Sequence, residues 1–188
     1  METTSIHAEV SGREKGFTLI ELLIVIGILG ILAAIVLVAV DPAKRLKQSR
    51  NARRSSEVNA LLNAILNYTV DNKGALPAAL STATNTGSVL LLGSADAMAT
   101  TTLQTYCPEA LSGATGTIYM ANLAADPAFV DTYIAQLPVD PRGTNGTVTY
   151  DQTVTGYFVQ RTSNGRVEVG SCNPEDEGNG IVPINVKR

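Results

Sequence analysis

The chain has 188 residues, which is enough for one domain and one long helix, and it carries a formal net charge of −3. This charge argues against a protein built to bind nucleic acid. The single histidine, His7, lies in the polar stretch before residue 17. Once that stretch is removed, Ser-His-Asp catalysis, Cys-His catalysis and histidine-ligated metals are excluded. We therefore expect no enzyme activity, no cofactor and no metal.

An apolar run from Phe17 to Val40 follows the polar stretch Met1–Gly16. As a helix it would be roughly 36 Å long, which predicts a membrane span. An ordinary secretory signal has its apolar stretch before the cleavage site. Here the candidate cleavage site, between Gly16 and Phe17, precedes the apolar run, so cleavage would leave the helix on the mature protein.

One acid, Glu21, lies near the start of this run. A carboxylate inside a membrane-length helix is costly, so such residues often have a function. Two interpretations remain open at this point. Glu21 either reaches back to the membrane interface without a further role, or it takes part in an interaction that the helix makes.

The segment Lys15–Glu21, followed by the apolar run to Val40, resembles the N-terminus of type IV pilins and pseudopilins. The resemblance covers about a fifth of the chain. It implies that a prepilin peptidase cuts after Gly16 and methylates Phe17. It also implies that Glu21, at the fifth mature position, pairs during assembly with the N-terminal amine of a neighbouring subunit.

Many members of this family have a proline within the apolar run, whereas the first proline here is Pro42. Proline removes a helical hydrogen bond and bends the helix. We therefore expect any interruption of the helix at Asp41–Pro42, later than is usual in the family.

Six of the fourteen basic residues lie between Lys44 and Arg54. By the positive-inside rule they would place this flank in the cytoplasm. The leader resemblance and the cysteine pair favour the opposite orientation, with a cytoplasmic N-terminus, and we prefer it. The basic run itself suits contact with lipid headgroups, then contact with another subunit, and least of all DNA.

A second helical pattern follows Pro42 and ends near Asn72, with Gly74 as a C-terminal cap and Pro77 beyond it. Its apolar residues recur at spacings of three and four, which predicts one stripe packed against a sheet. The stripe consists of Val58, Leu61, Leu62, Ile65, Leu66 and Val70.

The remaining residues predict a small antiparallel sheet. We expect a loop with at most a helical turn over Ala75–Thr102, a short helix over Asp126–Gln136, and a polar, partly ordered tail over Asn173–Arg188. Runs rich in Val, Tyr and Thr, separated by turn residues, indicate a meander of three or four strands. These runs are Thr147–Tyr150, Gly156–Arg161 and Arg166–Val169, with Thr117–Met120 as a possible fourth.

The two cysteines, Cys107 and Cys172, suggest one disulfide in an oxidising compartment, with two buried thiols as the alternative. The acidic cluster Glu175, Asp176 and Glu177 is either a solvated turn or, less plausibly, part of a calcium site, because it lacks regular loop spacing.

These features together predict an α+β, type IV pilin-like fold, with a long N-terminal helix on a small antiparallel sheet. We divide the chain into a leader at 1–16, a span at 17–40, an amphipathic continuation at 41–74 and a globular part at 75–188. The expected function is that of a filament subunit in the inner membrane and later at the cell surface. Its expected partners are copies of itself, prepilin peptidase, the assembly machinery and, before assembly, membrane lipid. Alternatives are a pseudopilin of a type II secretion system, a signal-anchored binding domain that never polymerises, and a membrane-tethered hydrolase.

Overall fold

The computed structural model describes residues 16–80, 88–94, 105–108, 118–123 and 129–188. The chain divides into two compact units, Met1–Pro42 and Ala43–Arg188. The first unit contains helix α1 (Leu19–Val40), and the second contains helix α2 (Pro42–Asp71) and all five strands.

Helix α1 is apolar on every side, and none of its residues is buried. By length and composition it can cross a membrane. It ends at Asp41, which has a left-handed backbone with φ 41°. Pro42 then begins α2, at the first helical position, where its missing N–H removes no intrahelical hydrogen bond. The interruption expected at Asp41–Pro42 is therefore present.

Helix α2 ends at the glycine cap that the sequence predicts. The Gly74 N–H donates to the carbonyl of Thr69 at 2.8 Å, and Gly74 has φ 91°, a conformation that favours glycine. The predicted apolar stripe is confirmed from Val58 to Ile65, whose side chains are buried. Val70 was wrongly included, since 77% of its surface is exposed.

The five strands form one sheet in the order β2-β1-β3-β4-β5. The pairs β1–β3, β3–β4 and β4–β5 are antiparallel, and β1–β2 is parallel. The strands are β1 (Val89–Leu92), β2 (Ile118–Ala121), β3 (Tyr157–Arg161), β4 (Val167–Ser171) and β5 (Asn185–Lys187). The chain is thus an α+β protein with a small, mostly antiparallel sheet, as the sequence predicts.

The sheet buries both of its faces. The face toward α2 carries Leu90, Tyr157 and Val169, which pack with the α2 stripe in the main core. The opposite face carries Leu91 and Phe158, which pack with the two cysteines in a second cluster. Phe158 lies directly over Gly170, where a Cβ atom would be 2.4 Å from the ring.

Four local predictions were wrong. Ala75–Thr102 contains strand β1 besides a short helical turn, and the tail from Asn173 contains strand β5. Thr147–Tyr150 is a turn with one bridge, from Thr144 to Thr149, because backbone bonds to 143–145 fold it back on itself. The described part of Asp126–Gln136, residues 129–136, consists of turns and no helix.

Two identical substitutions in α2 test the buried stripe. We expect Val58→Ala to lower the free energy of unfolding by about 2 kcal/mol, because Val58 is fully buried and the loss of its methyl groups leaves a cavity in the core. Val70→Ala should change it by less than about 0.5 kcal/mol, because Val70 is exposed. Urea unfolding followed by circular dichroism measures both; equal losses would contradict this packing.

Candidate processing and assembly site

The start of α1 is organised around Thr18 and Glu21. Thr18 is the N-cap residue, and its hydroxyl oxygen accepts a hydrogen bond from the Glu21 N–H at 3.3 Å. The Glu21 carboxylate oxygen Oε2 accepts in return from the Thr18 N–H at 2.9 Å and from the Thr18 hydroxyl at 2.8 Å. This reciprocal capping box satisfies donors that a helix start otherwise leaves open.

The predicted site residues Gly16, Phe17 and Glu21 all lie at this helix start and are exposed. Phe17 is 90% exposed. Each hydrogen bond of Glu21 is made to Thr18, within one helical turn, and no ion pair among the described residues includes Glu21. Its charge is therefore held in place but is not neutralised by a cation of the described chain.

The structure joins Cys107 and Cys172 in a disulfide, with an S–S distance of 2.01 Å and a Cα–Cα distance of 4.5 Å. Both cysteines are fully buried. The bond ties the short segment 105–108 to the residue that follows β4. Hydrogen bonds join the residues next to the two cysteines as well. The Tyr150 hydroxyl donates to the Tyr106 carbonyl at 2.7 Å, and the Asn173 amide contacts that hydroxyl.

A second polar assembly, which the sequence did not reveal, lies on α2. We call it the polar clasp; it consists of Arg50, Asn51, Arg54, Asp140 and Glu175. Arg54 is its centre. The Arg54 guanidinium and the Asp140 carboxylate are both fully buried and form two hydrogen bonds of 2.8 Å each. Arg54 also donates to Glu175 at 2.9 Å.

Arg50 and Asn51 complete the clasp. Arg50 binds the Glu175 carboxylate through two hydrogen bonds of 2.6 and 2.7 Å. The Asn51 amide donates to the backbone carbonyl of Glu175 at 2.8 Å, and its oxygen accepts from the Glu175 N–H at 3.0 Å. No buried side-chain nitrogen or oxygen in the described residues lacks a hydrogen-bond partner. The clasp is therefore a saturated network, which the interior tolerates far better than isolated charges.

In the clasp, two residues of the basic run, Arg50 and Arg54, pair with one residue of the acidic cluster, Glu175. Burial opposes ionisation of Glu175, but the hydrogen bonds from Arg50 and Arg54 outweigh it and lower its pKa from 4.5 to about 2. Because the folded pKa is depressed, this pairing stabilises the fold above pH 4.5 and is lost only as the pH falls toward 2. The neighbouring Asp176 carboxylate accepts from the backbone N–H groups of Gly178 and Gly180, so it shapes its own turn.

The disulfide gives a prediction of its own. Cys107 and Cys172 are 65 residues apart, and loop-closure models assign such a bond about 4 kcal/mol. We expect the double variant Cys107→Ala, Cys172→Ala to lose several kcal/mol of unfolding free energy, measured in urea without reductant. Peptide mapping of native material should recover the bonded pair; two free thiols would contradict the structure.

A comparison with protein-family models finds the prokaryotic N-terminal methylation motif at residues 11–37. Comparisons with curated proteins and with solved structures give no match. The matched residues include Gly16, Phe17 and Glu21 and extend through most of the apolar helix. The chain therefore carries the N-terminal methylation motif that is the hallmark of type IV pilins and pseudopilins.

Proposed function

We propose that this chain is the structural subunit of a type IV pilus-like filament. It enters the membrane as a precursor with its leader in the cytoplasm, is cut after Gly16, methylated at Phe17, and polymerised through α1. Copies of itself, prepilin peptidase and the assembly machinery are its partners. After assembly the sheet domain lies on the outside of the filament, at the cell surface.

The observation that carries this proposal is the combination of Glu21 with an otherwise apolar helix. No residue of α1 is buried in its own subunit, so lipid or other copies must cover the helix. Lipid covers the apolar side chains but leaves the carboxylate in a medium where an unpaired charge is costly. Cleavage after Gly16 creates an amine at Phe17, and a stagger between neighbouring copies would place this amine of one chain beside Glu21 of the next.

The motif supports a prepilin-type precursor in general, and the exposed carboxylate of Glu21 on an otherwise apolar helix supports polymerisation in particular. A signal-anchored domain that stays monomeric would retain Glu21 without a cationic partner. A pseudopilin of a type II secretion system would use the same pairing in a shorter filament. Electron microscopy of intact cells separates the two, because a pilus extends beyond the cell surface and a pseudopilus stays in the envelope.

Processing is the first test of this proposal. We expect the protein isolated from its native membrane to begin at Phe17 and to carry one methyl group on its amine. Intact-mass analysis measures both changes at once. A mature protein that retains residues 1–16, or one that is cut after Val40, would contradict the proposal. A Gly16→Leu variant serves as the control, since a bulky side chain at the cleavage position should preserve the full precursor mass.

Assembly is the second test. We expect Glu21→Ala to leave membrane insertion intact but to reduce filaments at least tenfold in cells without the wild-type subunit. Sheared filaments quantified by immunoblot give the yield. Domain stability should not change, since the buried core begins at Val58.

The variant Glu21→Gln separates the two roles of this side chain. Glutamine can keep the capping box with Thr18 but carries no charge. If pairing with an amine matters, Glu21→Gln should lose filaments as Glu21→Ala does. Normal filament yield from Glu21→Gln would show that capping suffices, and normal yield from Glu21→Ala would remove the proposal's main support.

A further inference from the structure

The N-terminal half of α2 is attached to the domain in a different way from its C-terminal half. We call residues 43–56 the strap. Within the strap only two side chains are buried, Asn51 and Arg54, and both are polar. The apolar contacts of α2 with the core begin at Val58. Leu46, the one large apolar residue of the strap, is 59% exposed.

The strap is also poorly packed against the segment beside it. Beside the contacts of Asn51 with Glu175, an open cleft of about 490 Å³ lies between residues 48–55 and the C-terminal tail. Its walls include Ala52 and Ser55 on the helix and Val182 and Ile184 on the tail. Apolar groups that do not close on each other gain little burial energy. The two buried side chains of the strap are held by the polar clasp, and the Asn51 amide also donates to the Glu177 carboxylate at 2.8 Å.

The two sides of the clasp differ in how firmly they are tethered. The tail is fixed before Glu175 by the disulfide at Cys172, whose N–H also donates to the Gly156 carbonyl at 2.9 Å. It is fixed after Glu175 by β5, which pairs with β4. The strap is tethered to the core at one end, through Val58. If the clasp opens, it is therefore the strap that moves away and the tail that stays.

We propose that the strap is a release element, which detaches as one unit at the polar clasp while the core from Val58 onward remains folded. Segments with few buried apolar contacts open at lower free energy than the core. The clasp is cooperative, because Arg54 is shared by Asp140 and Glu175, and Glu175 is shared by Arg50 and Arg54. Loss of one contact weakens the others, so opening proceeds in a single step.

The consequence for the filament rests on the function proposed above. Tension along α1 enters the domain through Pro42 and reaches the strap before it reaches the core. If the fourteen residues of the strap uncoil from about 1.5 to about 3.3 Å per residue, each subunit lengthens by roughly 25 Å. A subunit with this element extends under load and closes again without unfolding its sheet.

Hydrogen–deuterium exchange on the full chain in detergent micelles tests the release directly. In the wild-type protein we expect amides of residues 47–56 to exchange at least tenfold faster than those of residues 61–69, although both belong to one helix. The variant Glu175→Gln weakens the clasp on the tail side. It should speed exchange of the strap a further tenfold and leave residues 61–69 and strand β4 unchanged.

A matched control is available in the same turn of the tail. Asp176→Asn removes an equal charge one residue away, but the Asp176 carboxylate hydrogen-bonds to backbone N–H groups of its own turn and meets the strap through the charge of Lys47, with no hydrogen bond to the strap in the described contacts. This variant should change strap exchange by less than twofold. If Glu175→Gln fails to fold, Arg50→Gln removes one arm of the clasp, leaves Arg54 paired with both acids, and should give the same selective acceleration.

Two results would overturn the inference. The first is equal protection of residues 47–56 and 61–69 in the wild-type protein, which would mean that the strap opens only when the domain unfolds. The second is a clasp variant that accelerates exchange in the strap and in β4 alike. The measurement does not depend on polymerisation: Glu21→Ala, which should abolish filaments, should leave strap exchange unchanged. Failure of the filament proposal and failure of this inference are therefore distinguishable.

Discussion

The ion pair of the buried Arg54 guanidinium is the interaction on which the position of α2 in the globular unit depends. It is fully buried, and so is the Asp140 carboxylate that it binds through two hydrogen bonds. Removing one partner of such a pair costs about 3–5 kcal/mol, because the other charge is left desolvated, whereas an apolar replacement of the whole pair is often neutral. The pair therefore contributes position more than stability. It fixes the rotation of α2 about its axis and its position along that axis, relative to the loop at Asp140 and the tail at Glu175.

This constraint reaches the sheet through Asp140. The Asp140 backbone N–H donates to the Thr155 carbonyl at 2.9 Å, and its carboxylate accepts from the Arg142 N–H at 2.9 Å. Thr155 in turn donates to the carbonyl of Leu92 on β1 at 2.9 Å. A short chain of hydrogen bonds thus runs from the helix through the loop to the C-terminal end of β1. These polar contacts fix the position of α2 on the sheet, and the burial of apolar side chains from Val58 onward stabilises it.

The sequence predicts those elements whose signal is local. Strands β3 and β4 flank the turn Ser163-Asn164-Gly165, and the buried stripe of α2 repeats every three or four residues, so both are recognised from pattern alone. The capping box was not predicted, although its signal is equally local, since Thr18 and Glu21 are three residues apart. The motif at the N-terminus is specific enough to indicate a family on its own.

The elements that were missed depend on distant residues. Strand β1 is the run Val-Leu-Leu-Leu, buried on both faces, so it lacks the alternation that marks a half-exposed strand. Strand β5 has only three residues and is ordered by its pairing with β4. The clasp joins Arg50 and Arg54 to Glu175, more than 120 residues away. A cluster of bases and a cluster of acids each look solvent-exposed when read separately, and no single-sequence pattern indicates that they neutralise each other.

Helix α1 requires apolar surroundings on every side, because none of its residues is buried in its own subunit. Its apolar side chains do not distinguish a lipid environment from a bundle of other helices, because lipid tails are as apolar as leucine. Two features of the helix do distinguish them. Gly27 and Gly30 have no side chains, so the backbone of a second helix can approach α1 closely at these positions. In the filament proposed above, Glu21 pairs with the new amine of a neighbouring subunit, a partner that lipid does not supply. In the proposed filament the apolar surface of α1 therefore allows subunits to associate. The Glu21 carboxylate and the new amine at Phe17 then set the direction and the axial register of neighbouring subunits.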